Sequence, residues 1–275
     1  MTSDKTQADT SLGDRIRDLL NEGQTGTLVT VLSSSLLDVG AKLLIKENNQ
    51  TDGDLGDARL NSIVAQAIGS FIGARDDTKA VKVSAIAPEL KSLHDTLLLF
   101  ERLQSEPRLI IAGAGHVGAA LARLAALVGY EVTLIDDRPE FVARASFSSN
   151  GEQAINLITA REWSEALRDA IGNGRGVSVA IVTRGHKQDE DCLRATIAAR
   201  PDYIGMIGSK RRTNIVLDKL REEEFDGQQL NKVRAPIGLD IGAVSPEEVA
   251  LAILAEIVLE RRGGSAAPLS SWRRD

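Results

Sequence analysis

The segment from Arg108 to Asp136 constrains the fold more than any other part of the chain. It reads as an apolar run (Leu109-Ile-Ile-Ala112), a glycine turn, a helix-suited run of small residues, a second apolar run (Val132-Thr-Leu-Ile135) and an acid. Gly113, Gly115 and Gly118 give the spacing G-x-G-x-x-G. In a strand–turn–helix context the first glycine permits a sharp turn. The second lets backbone N–H groups approach a phosphate, and the third lets the helix pack closely on the strand. The helix N-terminus then offers unpaired N–H groups and the positive end of its dipole to an anion. Asp136 lies 18 residues after Gly118, at the end of the second run. A carboxylate there can accept from a ribose hydroxyl or a ring N–H. His116 lies inside the turn, where it either donates to a phosphate or carbonyl ligand or packs on its neighbours.

The same alternation continues through residues 106–262. Strands are expected near 108–112, 131–135, 154–158, 177–183 and 203–207. Helices are expected near 116–129, 139–146, 161–171, 189–200, 209–224 and 246–262. Alternating strands and helices with short connections imply a doubly wound parallel sheet, a Rossmann-type α/β domain. The last helix has a clear start, with Ser245 as N-cap, Pro246 at the first position and Glu248 completing a capping box. Residues 263–275 read as a tail.

Residues 11–105 read as a smaller α+β domain. A helix is expected over Ser11–Glu22, strands over 27–32, 41–46, 81–86 and 96–100, and a second helix after Asp57 through Ala74. Ser33–Gly40 and Thr51–Asp57 read as turns, and Glu101–Pro107 as a polar joint. The polar residues 1–10 read as disordered.

Aromatic residues make up only 3% of the 275, so the core must be aliphatic. The formal charge is −6, with no sustained basic stripe, which argues against general nucleic-acid binding. No apolar run is long enough to span a membrane. Cys192 is the single cysteine, which excludes an internal disulfide and fits a reducing, cytoplasmic setting. Its neighbours Leu193, Ala195 and Ile197 suggest a packing role. One cysteine and three scattered histidines make no recognisable zinc site and no nucleophile–base–acid set. His94 has no partner motif.

In open α/β sheets, ligands collect at the carboxyl ends of the strands. Four segments are expected to meet there: Gly113–Gly118, Asp136-Asp137-Arg138, Thr183–Asp189 with Arg184 and His186, and Gly205–Arg212 with Gly208, Ser209, Lys210 and Arg211. Basic residues in a first helical turn oppose the helix dipole, and a bound anion would offset that. The other reading is a solvated basic turn. Asp189 is expected to cap the helix that follows it. Asp240, in the two-glycine turn Gly238–Gly242, either ligates or shapes the turn.

Taken together, five ordered segments resemble the xanthine dehydrogenase accessory protein family (XdhC/CoxI). They are Leu109–Gly118 (LIIAGAGHVG), Asp136–Phe141 (DDRPEF), Thr183–His186 (TRGH), Tyr203–Arg211 (YIGMIGSKR), and Ala235–Gly242 (APIGLDIG) with Ser245-Pro-Glu-Glu248. The resemblance covers residues 108–262. It implies binding of molybdopterin, the molybdenum cofactor, and its insertion into a client of the xanthine dehydrogenase or carbon monoxide dehydrogenase type. Among partners it implies the molybdoenzyme client and a cysteine desulfurase; a homodimer is expected on general grounds. The N-terminal domain departs from the family. Gly40-Ala-Lys42 is kept, but the Pro-Arg turn before it is not. The family's glycine-rich Cys-Val-Glu turn corresponds to Gly53–Asn61, which has no cysteine, so a thiolate or sulfur relay is missing from that place. Two alternatives remain open on the residues themselves: an NAD(P)-dependent oxidoreductase, with Asp136 favouring NAD, and a scaffold that docks only to protein.

Overall fold

A computed structural model gives the structure of the protein and describes residues 11–71, 77–145, 155–223 and 225–270. The expectation for residues 1–10 lies outside them. The chain divides into two compact units, Met1–Ser105 and Glu106–Asp275.

The first unit is built on an antiparallel sheet. Its strands are β1 (Gly26–Ser33), β2 (Lys42–Lys46), β3 (Thr51–Asp54), β4 (Thr78–Lys82) and β5 (Leu97–Leu103), in the order β3-β2-β1-β5-β4. Strand periodicity divides the apolar residues between two faces. Val29, Val31, Leu43, Ile45, Leu98 and Phe100 join Leu60 and Val64 of α2 (Ala58–Phe71) in one cluster. Leu28 and Leu44, on the other face, meet Leu19 of α1 (Leu12–Asn21). Ser11 caps α1 by accepting from the Asp14 N–H.

Three expectations need correction in this unit. Thr51–Asp54 is a strand, not part of a turn. It is a mostly exposed edge strand paired only to β2, so no apolar alternation marks it. Val83–Ile86 is a short helix, α3, closed by the Ala87 N–H donating to the Val83 carbonyl. The strand expected over 81–86 holds only for Val81 and Lys82, which end β4, and fails over the helical residues 83–86. The polar joint begins later than expected, because β5 pairs with β1 through Leu103.

The second unit is a parallel sheet with helices on both faces. Its elements are β6 (Arg108–Ala112), α4 (His116–Leu127), β7 (Glu131–Asp136), α5 (Pro139–Ala145), β8 (Asn156–Thr159), α6 (Trp163–Ile171), β9 (Val177–Ile181), α7 (His186–Ala199), β10 (Tyr203–Met206), α8 (Lys210–Glu222), α9 (Gly227–Leu230) and α10 (Pro246–Arg262). The strand order is β10-β9-β6-β7-β8, and every adjacent pair is parallel. The order reverses at β6, so the glycine turn leaves the sheet at the topological switch point, where such folds bind ligands.

β6 is apolar almost throughout because both of its faces are buried. Leu109 and Ile111 pack with Leu121 of α4 and with Ile253 and Ile257 of α10. Ile110 and Ala112 pack with Leu167 of α6, Leu193 of α7 and Leu220 of α8. The capping box on α10 is complete: Ser245 accepts from the Glu248 N–H, and Glu248 accepts from the Ser245 N–H. Two features differ from expectation. The short α9 carries no strong sequence signal, and α7 begins at His186 rather than Asp189.

A candidate anion-binding edge at the switch point

Three helices, α4, α7 and α8, begin directly after β6, β9 and β10, at the carboxyl edge of the sheet. The strand ends are held level by backbone bonds. The Val182 N–H donates to the Ala112 carbonyl at 2.8 Å, and the Ile207 N–H donates to the Ile181 carbonyl at 2.8 Å. The Ile237 N–H donates to the Met206 carbonyl, which brings the Gly238–Gly242 turn, with its exposed Asp240, to the same edge.

The three glycines of the turn do different things. Gly113 has φ +118°, and a Cβ there would lie 2.6 Å from the Val182 carbonyl oxygen. A Cβ on residue 118 would lie 1.8 Å from the Gly113 oxygen, so only glycine lets α4 start this close to β6. Gly115 is under neither constraint: its φ is −66°, and an added Cβ would meet nothing within 4 Å. As N-cap of α4 it supplies no capping side chain, so the first-turn N–H groups of the helix, beside an exposed His116, have no intrahelical acceptor.

Asp136 is 1% exposed, and its carboxylate is fully engaged. One oxygen accepts from the backbone N–H (2.9 Å) and Nε (2.8 Å) of Arg138. The other accepts from the Ala114 N–H (2.7 Å) and Arg138 Nη2 (2.9 Å). Burial alone would push this carboxyl upward. The hydrogen bonds from Arg138 and Ala114 outweigh burial and hold it below the usual carboxylate range. The same bond to Asp136 raises Arg138 above its ordinary value. The Arg138 guanidinium lies over the Phe141 ring, 3.6 Å from its centroid.

Asp137 links this turn to the next. Arg184 approaches it at 3.8 Å and Arg138 at 3.8 Å. Asp189 is buried inside the first turns of α7, where it accepts from the Thr183 hydroxyl. It is therefore not a helix cap; Gly185 takes the N-cap position, without a capping side chain. Gly208, Ser209 and Arg211 stand at the start of α8, with Ser209 and Arg211 exposed. The backbones of His186, Lys210 and Arg212 fall in the same helix starts, but their side chains lie outside the described set. Asp137 falls in an expected segment without an assigned role, and Phe141 was missed as a member of this cluster. The three-residue step from Arg138 to Phe141 was the available signal, since it is a helical spacing.

Two other candidate positions among the described residues are closed. Cys192 is fully buried in α7, and burial, reinforced by the nearby charge of Asp189, pushes its thiol upward, away from the reactive thiolate. In the Gly53–Asn61 stretch, Asp54 accepts from the Gly56 N–H and the Asn61 amide, and Asn61 accepts from the Leu55 N–H. That turn satisfies its own polar groups. Among the described residues no group of three or more His, Cys, Asp or Glu is placed to hold a metal ion, and no helix is long and apolar enough to cross a membrane. A groove of about 660 Å³ around Arg200, Tyr203, Lys232 and Arg234 opens at the amino end of β10, away from the switch-point edge.

The chain is similar to several known proteins. It is 32% identical over 152 residues to the uncharacterized protein YqeB of Escherichia coli (strain K12), covering 55% of this chain and 27% of that one. It is 28% identical over 250 residues to a probable xanthine dehydrogenase subunit of Bacillus subtilis (strain 168), covering 90% and 64%. It is 27% identical over 167 residues to the molybdenum cofactor insertion chaperone PaoD of Escherichia coli (strain K12), covering 60% and 44%. It thus spans between about a quarter and about two thirds of the length of these relatives. A crystal structure described as a xanthine dehydrogenase from Bacillus halodurans shares the fold with a TM-score of 0.61 at 23% identity, covering 91% of this chain and 66% of that one. The family described as the XdhC Rossmann domain matches residues 109–257, more than half of the 275, and the chain belongs to that family.

Proposed function

We propose that this protein is an accessory factor for a molybdoenzyme of the xanthine dehydrogenase or carbon monoxide dehydrogenase type, and that it carries a phosphate-bearing ligand at the switch-point edge. The observation that carries the reading is Gly115. The protein's own packing and backbone geometry do not require glycine there, while an uncapped helix start lies beside it. A missing Cβ with open space around it is what close approach of a phosphate needs. The family membership and the insertion-chaperone relative support molybdenum cofactor as the cargo.

On this reading, Gly113 and Gly118 shape the turn. The first-turn N–H groups of α4 and His116 hold the cofactor's phosphate. Gly208, Ser209, Lys210 and Arg211 at the start of α8, with Arg184 and His186 at the start of α7, hold the second anionic end of the ligand, Lys210, Arg211 and Arg184 supplying countercharge, and Asp240 borders the site. Asp136 acts as a positioning residue through Arg138 and the Ala114 N–H. The buried Cys192 supplies neither a molybdenum ligand nor a sulfur relay, so sulfuration falls to a partner such as a cysteine desulfurase.

The test is to purify the protein from a molybdenum-replete host, denature it and identify the released small molecules by mass spectrometry. Molybdopterin is the expected product. A nicotinamide nucleotide in its place would overturn the cargo and favour the oxidoreductase alternative. The Lys210→Ala/Arg211→Ala double variant is expected to bind pyrophosphate more weakly; unchanged affinity would remove both residues from the site.

A further inference from the structure

We infer that Arg138 occupies the ribose subsite of this Rossmann edge, so that the protein recognises its ligand by phosphate and not by a ribose diol. The inference rests on the proposed binding of phosphate at the glycine turn, and it narrows the class of ligand. In dinucleotide-binding units the acid at the end of the second strand accepts hydrogen bonds from ribose hydroxyls. A carboxylate has about four acceptor positions. Here all four are filled from within the chain: three by Arg138, through its N–H, Nε and Nη2, and one by the Ala114 N–H. The guanidinium is further held against the Phe141 ring and within 3.8 Å of Asp137. A ribose hydroxyl could reach Asp136 only by displacing an arginine fixed on two sides. What this edge offers an incoming ligand is therefore donors and positive charge. The same carboxylate that marks an NAD site in sequence serves here to anchor a cation.

The experiment compares three probes, pyrophosphate, ADP and 2′-deoxy-ADP, by isothermal titration of the full chain and of two variants. Arg138→Met keeps an unbranched side chain against Phe141 without N–H donors, and Arg138→Ala opens the subsite. The wild type is expected to bind ADP and 2′-deoxy-ADP within about twofold of each other. Both variants should prefer ADP by about tenfold, the worth of one hydrogen bond to a freed carboxylate. Pyrophosphate binding should weaken in both variants, because a cation is lost and the Asp136 carboxylate beside the glycine turn is freed, but it should stay measurable, which also reports that the variants fold.

A wild-type preference for ADP of about tenfold would overturn the inference while leaving the phosphate site standing. So would variants that bind pyrophosphate yet fail to discriminate. Loss of pyrophosphate in the variants alone would make Arg138 a prop of the turn, and the inference falls. If no probe binds any of the three proteins, the phosphate reading of the turn fails, and the inference fails with it.

Discussion

The carbonyl oxygen of Gly113 stands 1.8 Å from where a Cβ on residue 118 would lie, whereas a Cβ on residue 115 would touch nothing within 4 Å. The same motif thus separates into a part the packing requires and a part it leaves open, and two alanine substitutions should separate them. Gly118→Ala forces backbone apart at the start of α4 and is expected to destabilise the second unit by more than about 4 kcal/mol. Gly115→Ala should leave stability within about 0.5 kcal/mol but weaken pyrophosphate binding by about tenfold or more. Thermal unfolding followed by circular dichroism, with titration of the folded variant, reads both. A Gly115→Ala protein that binds pyrophosphate like the wild type would remove the main support for the anion site.

The buried Asp136–Arg138 pair makes stability depend on acid. Its hydrogen bonds hold Asp136 below the ordinary carboxyl value of 3.8. A carboxyl depressed in the folded state contributes stability above its unfolded value, and that contribution drains away as pH falls toward the folded value. The wild type should therefore lose stability through this group only below about pH 4, while Asp136→Asn should be less stable at neutral pH and flatter in acid. Removing one partner of such a pair costs about 3 kcal/mol. Urea unfolding of both proteins from neutral pH down to about pH 3 checks the sign. Equal stability at neutral pH would show that the network contributes nothing.

Cys192 offers a clean negative test. It is fully buried, with a thiol pushed upward by that burial. The native protein should react with a disulfide-exchange reagent only as fast as it opens, and denaturation should release one full equivalent. Cys192→Ala should cost about 1 kcal/mol through lost packing and leave ligand binding intact. Rapid labelling of the native thiol would reopen a sulfur-handling role for this chain.

How much of this was legible in the sequence varies with burial. The β6–α4–β7 unit can be read directly, because strands buried on both faces are uniformly apolar and the glycines mark the turn. The edge strand Thr51–Asp54 cannot, since a strand exposed on its edge needs no apolar face. Asp189 looks like a cap from spacing alone. Only the path of the loop, which starts the helix at His186, turns it inward to Thr183. Asp136 is the instructive case. Its position is that of a ribose acceptor, and nothing in the motif says that Arg138, two residues on, folds back onto it. Which donor reaches a carboxylate depends on the turn geometry after β7 and on the Phe141 ring, both decided by the tertiary structure.

Asp137 and Arg184 provide the last prediction, one of opposite signs. They approach to 3.8 Å with side chains 31% and 56% exposed, so the pair itself contributes little to stability. Their charges nonetheless border the same edge, and an anion arriving there meets one attractive and one repulsive group. Arg184→Ala should weaken pyrophosphate binding by about fivefold, and Asp137→Asn should strengthen it by a similar factor. Each should shift the unfolding free energy by less than about 0.5 kcal/mol. Both effects should shrink as salt is raised from about 0.01 M to about 0.15 M, because the Debye length falls from about 30 Å to about 8 Å. If both substitutions move affinity in the same direction, the change comes from a rearranged turn and not from charge at the site.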